Sequence, residues 1–404
     1  MLLTLGSVQA ATTTTTKLTS SPNPSALGQP VTFTATVSPV GGSGTPTGTV
    51  NFLVDGDVTG SATLAAGTAN FTTSTLAVGN RSITASYVGN SNFNASTSTS
   101  LTQVVVGKPV DTHDFNGDGK SDILWHDTSG DVGIWLMNGT TIMQNSGVAN
   151  VPTVWSIAGQ RDFNGEGKAD ILWRDTAGNV GMWLMNGTTI VTNAGVANVP
   201  TVWSIAGTGD FNGDGKGDVL WHDTSGNVGM WLMNGTTIVT NAGVANVPPS
   251  VWSIAGTGDF DGDGKTDILW VDHNGDVGIW FMNGTQITQA VGIGQAPPGW
   301  SIVGTGDFNG DGHRDILWRD TAGDVGIWLM SGTTIISAQG VANVHTVWSV
   351  AQTGDYNGDG RSDILWADTS GDVGVWSMNG TTISVNSGIA NVPTVWAIQG
   401  AGAD

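Results

Sequence analysis

Residues 114–125 read DFNGDGKSDILW: three carboxylates, an asparagine and two glycines within nine residues, then an apolar run ending in Trp. The leading Asp returns at 162, 210, 259, 307 and 355, at intervals of 48, 48, 49, 48 and 48 residues. The extra residue is one of the pair Pro248-Pro249. A fixed period of this length marks an array of structural repeats. Each unit carries three of the chain's 18 Trp and shows no helical periodicity, so it fits one four-stranded propeller blade.

The third copy reads strand by strand. "TVWSIAGTGDF" leads into the acidic loop, "DVLWHD" follows it, "TSGN" turns the chain, and "VGMWLM" and "TTIVTNAGV" flank Asn-Gly. Asn-Gly predicts a two-residue type I′ hairpin with both residues at positive φ. Apolar residues fall on both faces of the middle strands, as expected for a blade sandwiched between neighbours. The first copy lacks an upstream "VWSIAG", whereas the last is followed by a surplus "VWAIQGAGAD" at 395–404. The expectation is an all-β ring of six blades over 112–404, with this C-terminal segment as the first strand of blade one. The other expectation is a ring cut off before a seventh repeat.

The acidic loop has the pattern Asp-x-Asn/Asp-x-Asp/Glu-Gly-x-x-Asp. Side-chain oxygens at positions 1, 3, 5 and 9 and the carbonyl at 7 can wrap a hard cation that takes six to eight oxygen ligands. The first two copies offer Asp114, Asn116, Asp118, Lys120, Asp122 and Asp162, Asn164, Glu166, Lys168, Asp170. The middle two offer Asp210, Asn212, Asp214, Lys216, Asp218 and Asp259, Asp261, Asp263, Lys265, Asp267. The last two offer Asp307, Asn309, Asp311, His313, Asp315 and Asp355, Asn357, Asp359, Arg361, Asp363. In each set the position-seven residue contributes its backbone carbonyl. Position 12 is Trp rather than the bidentate Glu of a helix–loop–helix calcium site, and the flanks are strands. Magnesium prefers a tighter octahedron, and zinc wants His or Cys. The expectation is one structural Ca²⁺ per blade, about six in all, with Glu166 making the second site bind more weakly or through a different geometry. The alternative is a set of metal-free Asx turns.

The run "SIAGTGDFNGDGKGDVLW" resembles the FG-GAP/VCBS-type repeats of calcium-loop propellers, including the integrin α-subunit ring and some lectins. The resemblance covers about 111–404 and implies a β-propeller with one Ca²⁺ per blade. Glu166 and the Trp-rich strands depart from the family pattern.

Residues 11–107 differ: they hold no Trp and are rich in Thr and Ser. "VTFTATV" alternates with period two, as do "GTVNFLVDG" and "RSITASYVG", which predicts about seven short strands in a sandwich. "GTPTGTVNFLVDG" and "NRSITASYVGNSNFNAS" resemble bacterial Ig-like repeats of surface proteins, implying a spacer. "VVVGKPVD" at 104–111 reads as the linker segment, with the sandwich ending at 107 and the linker proper at 108–111. "MLLTLGSVQAA" resembles the end of a signal peptide cleaved after Ala10, giving a leader remnant at 1–10 and a secreted or cell-surface bacterial protein.

The net charge of −21 lies wholly beyond residue 107, where 10 basic residues face 31 acidic ones. Nineteen of the 33 acids sit in the six loops, which points to a bound cation and away from nucleic acid. With no Cys, disulfides and thiol chemistry are excluded. No stretch approaches the ~18 apolar residues of a membrane span.

Core packing accounts for most of the Trp. Positions that vary between copies are better places to seek a ligand. The residue after the second-strand Trp is His126, Arg174, His222, Val271, Arg319 or Ala367. His126, Arg174, His222 and Arg319 are the candidate ligand contacts on one rim; the alternative is drift beside a turn-forming Asp. No nucleophile elbow, phosphate loop or paired His appears, so a non-catalytic role is expected. The favoured function is adhesion or ligand binding, with glycans or cell-surface and matrix components as partners. The alternatives are a polysaccharide-active enzyme or its accessory module, and a self-assembling surface or filament subunit.

Overall fold

The computed structural model describes residues 10–23, 25–26, 30–76, 79–106 and 113–400. The chain divides into two compact units, Met1–Pro109 and Val110–Asp404. The division falls within the expected linker 108–111, which lies outside the described residues, as do residues 1–9 of the expected leader. All described elements are strands, and no helix is long and apolar enough to cross a membrane.

The first unit is a sandwich of two sheets. One has the order Thr14–Ser21, Val31–Pro39, Thr68–Thr73. The other runs Ser25–Ala26, Leu101–Val106, Gly79–Tyr87, Thr49–Val54, Asp57–Thr63, with Ser96–Thr97 on Gly79–Tyr87. Seven of the nine strands have six or more residues, which matches the alternating runs. The two additional strands have only two residues each, too few for periodicity to reveal. Val104–Val106 belongs to a strand, so the linker begins later than the apolar run "VVVG" implied. Alternation works because every second side chain enters one core: Val31, Phe33, Ala35 and Val37 point in beside Phe52, Ile83 and Tyr87.

The second unit is six four-stranded antiparallel sheets. Blade two is Trp155–Arg161, Asp170–Asp175, Asn179–Asn186 and Thr189–Asn198, paired in that order. Blades three to six repeat it from Trp203, Trp252, Trp300 and Trp348. Blade one is Ile123–Asp127, Asp131–Asn138 and Thr141–Asn150, completed by Trp396–Gln399. Leu124 pairs with Gln399 and Asp127 with Trp396, so the C-terminal segment supplies the missing first strand.

Each blade grips the next in the same way. The backbone N–H at loop position eight donates to the carbonyl of the preceding loop's leading Asp, as in Ala169 to Asp114 at 2.7 Å. Ser121 makes this bond to Asp355 at 2.8 Å, so blade six meets blade one as any other pair does. The hairpin glycine adds a second bond, Gly187 N to Phe115 O at 2.7 Å, matched across the seam by Gly139 N to Tyr356 O at 2.6 Å. Six apolar cores fill the interfaces, the one between blades six and one holding Trp125, Trp135, Tyr356 and Leu365. The sheets therefore form a ring held shut by the C-terminal strand.

The hairpin differs from the expected type I′ turn. Asn234 pairs with Thr237, so the two loop residues are Gly235 and Thr236, and only Gly235 has positive φ, at 58°. One positive φ at the first loop position is the type II′ pattern, and it places no demand on Asn. Copy five accordingly starts its hairpin with Ser331 and keeps Gly332 at φ 59°.

Candidate metal centre

The loop's first carboxylate organises its backbone. Asp114 Oδ1 accepts from the N–H groups of Gly117 (2.7 Å) and Asp118 (3.2 Å), and Oδ2 accepts from Gly119 at 2.7 Å. The glycines at positions four and six hold φ of 77° and 81°, which lets successive N–H groups converge on one anion. Asp162, Asp210, Asp259, Asp307 and Asp355 repeat the arrangement.

Position nine has a role the sequence did not disclose. Asp122 Oδ2 accepts from Phe115 N and Oδ1 from Met137 N, both at 2.9 Å, which ties the loop to the third strand. Asp170, Asp218, Asp267 and Asp315 each make the same two bonds, and Asp363 bonds Met378 N at 2.9 Å. These six side chains are essentially buried. Burial, with repulsion from the loop's other acids, pushes Asp122, Asp218, Asp267, Asp315 and Asp363 up to about 8 and Asp170 to about 7. Burial also raises Asp162, Asp210 and Asp307, and takes Asp259 to about 7.

In the fourth loop, Asp259, Asp261 and Asp267 bring carboxylate oxygens within 4.8 Å of one another. Ligand distances of about 2.3–2.6 Å let one calcium ion bridge that span. A carboxylate oxygen accepts two contacts, so Asp114 Oδ2 and both Asp122 oxygens, with one N–H each, keep capacity for an ion, whereas Asp114 Oδ1, with two, does not. The other five loops carry Asn at position three, a neutral oxygen donor. The donor set is all oxygen, anionic and preshaped by backbone N–H groups, and it suits a hard cation.

The position-five acid has a basic neighbour in five of the six loops. Lys120 Nζ lies 3.7 Å from Asp118, Lys168 3.9 Å from Glu166, Lys216 3.7 Å from Asp214, Lys265 2.6 Å from Asp263, and Arg361 Nη1 3.4 Å from Asp359. Asp311 instead accepts from His313 N at 2.9 Å and Asn309 Nδ2 at 2.9 Å. In the other five loops the position-five carboxylate thus lies near its own position-seven side chain, two residues away. Glu166 stands apart again: the other five accept their position-seven backbone N–H at 2.9–3.0 Å, a bond not seen at Glu166, whose side chain is one methylene longer.

The position-seven side chains also clamp blades together. The Lys168 stem crosses to Gly117 of the preceding loop and Lys216 to Gly165, and Lys120 reaches Gly358 across the seam. A Cβ on these glycines would sit 3.3–3.4 Å from the Lys Cγ, so positive φ and close approach together demand glycine.

The four candidate ligand residues lie between blades. Arg174 stacks its guanidinium 5.0 Å from the Trp221 ring centre, and Arg319 lies 5.4 Å from Trp366. Arg174 Nη2 donates to Pro200 O at 3.2 Å, and Arg319 Nη2 to Val344 O at 3.1 Å. His126 meets the edge of Trp173 at 5.7 Å and His222 that of Trp270 at 6.3 Å. All four are half-buried, and burial lowers the His126 pKa. Each thus packs against the strand-two Trp of the next blade while staying partly exposed. The neighbouring Asp residues close turns: Asp175 accepts Asn179 Nδ2 and the N–H groups of Ala177 and Asn179, which lowers its pKa.

The Trp sort by strand. Those on strand two are buried and lie 4.7–4.8 Å from their strand-three partners. The strand-one Trp are half-buried at the end opposite the acidic loops, and the Trp396 ring packs beside Gly133. Exposed Val154, Val202, Val251, Val347 and Val395 precede five of them. Trp396, Asp131, Gly147 and Val148 line an open groove of about 410 Å³.

Replacing Asp218 with Ala leaves the buried N–H groups of Phe211 and Met233 unpaired. Each unsatisfied group costs about 1–3 kcal/mol, so a loss of about 2–6 kcal/mol is expected. Urea unfolding in EDTA measures it, and the loss persists there because the bonds need no metal. A loss seen only with calcium present contradicts this role.

A model of the bacterial Ig-like domain (group 3) matches residues 18–106. A model of the FG-GAP-like repeat matches residues 162–221, 210–270, 259–318 and 307–366. Each match runs from the leading Asp of one loop to the second-strand Trp of the next blade, the span over which neighbouring blades interlock. No curated protein matches the chain. Both modules are typical of extracellular or surface proteins, and repeat matches cover 162–366, half of the sequence. The chain belongs to the FG-GAP-like repeat family, with a bacterial Ig-like domain ahead of its ring.

Proposed function

We propose that the ring is a calcium-stabilised binding module of a secreted or cell-surface protein, with one Ca²⁺ in each acidic loop. The observation that carries this reading is the buried carboxylate at position nine, repeated six times beside a second carboxylate cradled by glycine N–H groups. Two such acids cannot both ionise cheaply in a desolvated site without a cation. Positions one, three and nine would hold the ion, with the position-seven carbonyl. In five loops the position-five acid joins them by releasing its Lys or Arg, and in the fifth loop Asp311 joins them by releasing Asn309 Nδ2. Calcium supplies charge compensation and cross-linking of the loop; no reaction step is assigned to it.

The binding surface in this reading is the end of the ring opposite the loops. Half-buried Trp, exposed Val and amide–carboxylate pairs such as Asn150 with Asp131 at 2.8 Å recur there. An aromatic face beside polar groups suits the C–H and hydroxyl faces of a sugar. Six repeats offer weak sites that gain by avidity, as adhesion requires. A glycan array read in calcium tests the reading, with each hit then assayed for cleavage. Saturable binding without turnover supports it; product formation makes the ring part of a polysaccharide-active enzyme.

A further inference from the structure

The blades are near-copies, so a buried position where one blade departs from the rest marks a demand that the blade frame does not make. Two departures meet on the ring axis. The fifth residue of the first strand is Gly159, Gly207, Gly256, Gly304 and Gly400 in five blades, but Gln352 in blade six. The sixth residue is Thr208, Thr257, Thr305 and Thr353 in blades three to six, but Gln160 in blade two.

The threonines form a ladder. Thr257 Oγ1 donates to Thr208 O at 3.0 Å, Thr305 to Thr257 O at 2.9 Å, and Thr353 to Thr305 O at 2.7 Å. Between blades two and one, Gln160 replaces this bond by donating through Nε2 to Gln399 O of the closing strand at 2.8 Å, with Oε1 3.3 Å from His113 Nδ1. Gln160 is thus accounted for by ring closure.

Gln352 is not. Its side chain is 2 % exposed, and neither its Oε1 nor its Nε2 has a hydrogen-bond partner. A buried amide left unpaired is costly, and a glycine, as in the other blades, avoids that cost. The side chain lines a cavity of about 110 Å³ with Ala255, Ile302, Thr305, Ala351 and Gly400. No acid or base lines it, so a charged ligand would find no counter-charge. The volume exceeds what one water needs and falls short of the ~300 Å³ typical of drug-sized ligands. A hydroxyl both donates and accepts, which matches the paired donor and acceptor of an amide, and the Ala and Ile walls suit C–H groups.

We propose that this axial cavity binds a small neutral polyol, held by the Gln352 amide. Gln352 lies three residues ahead of its loop's leading Asp355, and the site is separate from the grooves at the opposite end. Its failure would therefore leave the glycan reading standing, and the reverse holds too.

The test is isothermal titration of the calcium-loaded full chain with glycerol, and in parallel with acetate. Two variants accompany it: Gln352→Gly, the residue of the other blades, and Gln352→Leu, which keeps the volume without the amide. The expected result is saturable millimolar glycerol binding by the native chain, at least tenfold weaker in both variants, and no acetate binding. Native-like binding in either variant, or no glycerol binding by the native chain, overturns the proposal. A glycerol-soaked crystal showing only water on Gln352 overturns it as well.

Discussion

Removing calcium is expected to lower the melting temperature of the ring by roughly 20 °C while the sandwich's transition stays in place. Extracellular calcium modules bind with Kd of roughly 10⁻⁴–10⁻³ M. At about 2 mM free Ca²⁺ and a Kd of ~10⁻⁴ M, one site adds ~1.8 kcal/mol, and six independent sites on the order of 10 kcal/mol. A unit of this size shifts by roughly 2 °C per kcal/mol. The effect reaches the whole ring because each loop also bonds the next blade, through Asp162 O to Gly217 N at 2.6 Å and its five counterparts. The sandwich carries no acidic loop, so it serves as an internal control. Differential scanning calorimetry with and without EDTA reads both transitions. An unchanged ring transition contradicts the calcium assignment.

The second large effect is a reversal of pH dependence by calcium. The position-nine acids are pushed up to about 7 in Asp170 and about 8 in Asp122, Asp218, Asp267, Asp315 and Asp363, chiefly by burial, from the ordinary carboxylate value of 3.8. A raised folded-state pKa means that the native state holds protons the unfolded chain has released. The resulting stability is fully present below about pH 4 and is lost as the pH climbs through the folded values near 8. One unit realised at each of six acids amounts to roughly 8 kcal/mol. In EDTA the ring is therefore expected to weaken steadily between pH 4 and 8. In calcium the dependence turns over, because the ion binds the carboxylate and must displace its proton. Melting curves across this range in both buffers measure it. Parallel pH dependence in the two contradicts the shared use of these acids by proton and ion.

Much of the fold was legible because it is periodic. The 48-residue spacing located every blade, and the surplus "VWAIQG" identified the closing strand that pairs with Leu124–Asp127. Alternation in "VTFTATV" marked the sandwich core. The features that stayed hidden are contacts between repeats or across strands. Asp122 bonding Met137, and Lys168 crossing to Gly117, join residues whose sequence separation carries no signal. Arg174 looked like a variable rim residue because its partner, Trp221, belongs to the next blade. The Asn-Gly turn misled for a different reason: Asn tolerates positive φ, but this hairpin needs it only at the glycine.

The most direct test of the calcium ring is the number of ions bound per chain, counted by native mass spectrometry in calcium buffer. Six is the expected count, with the loop carrying Glu166 the last to fill. A chain that holds one ion or none contradicts the assignment and leaves the six acidic loops as metal-free turns.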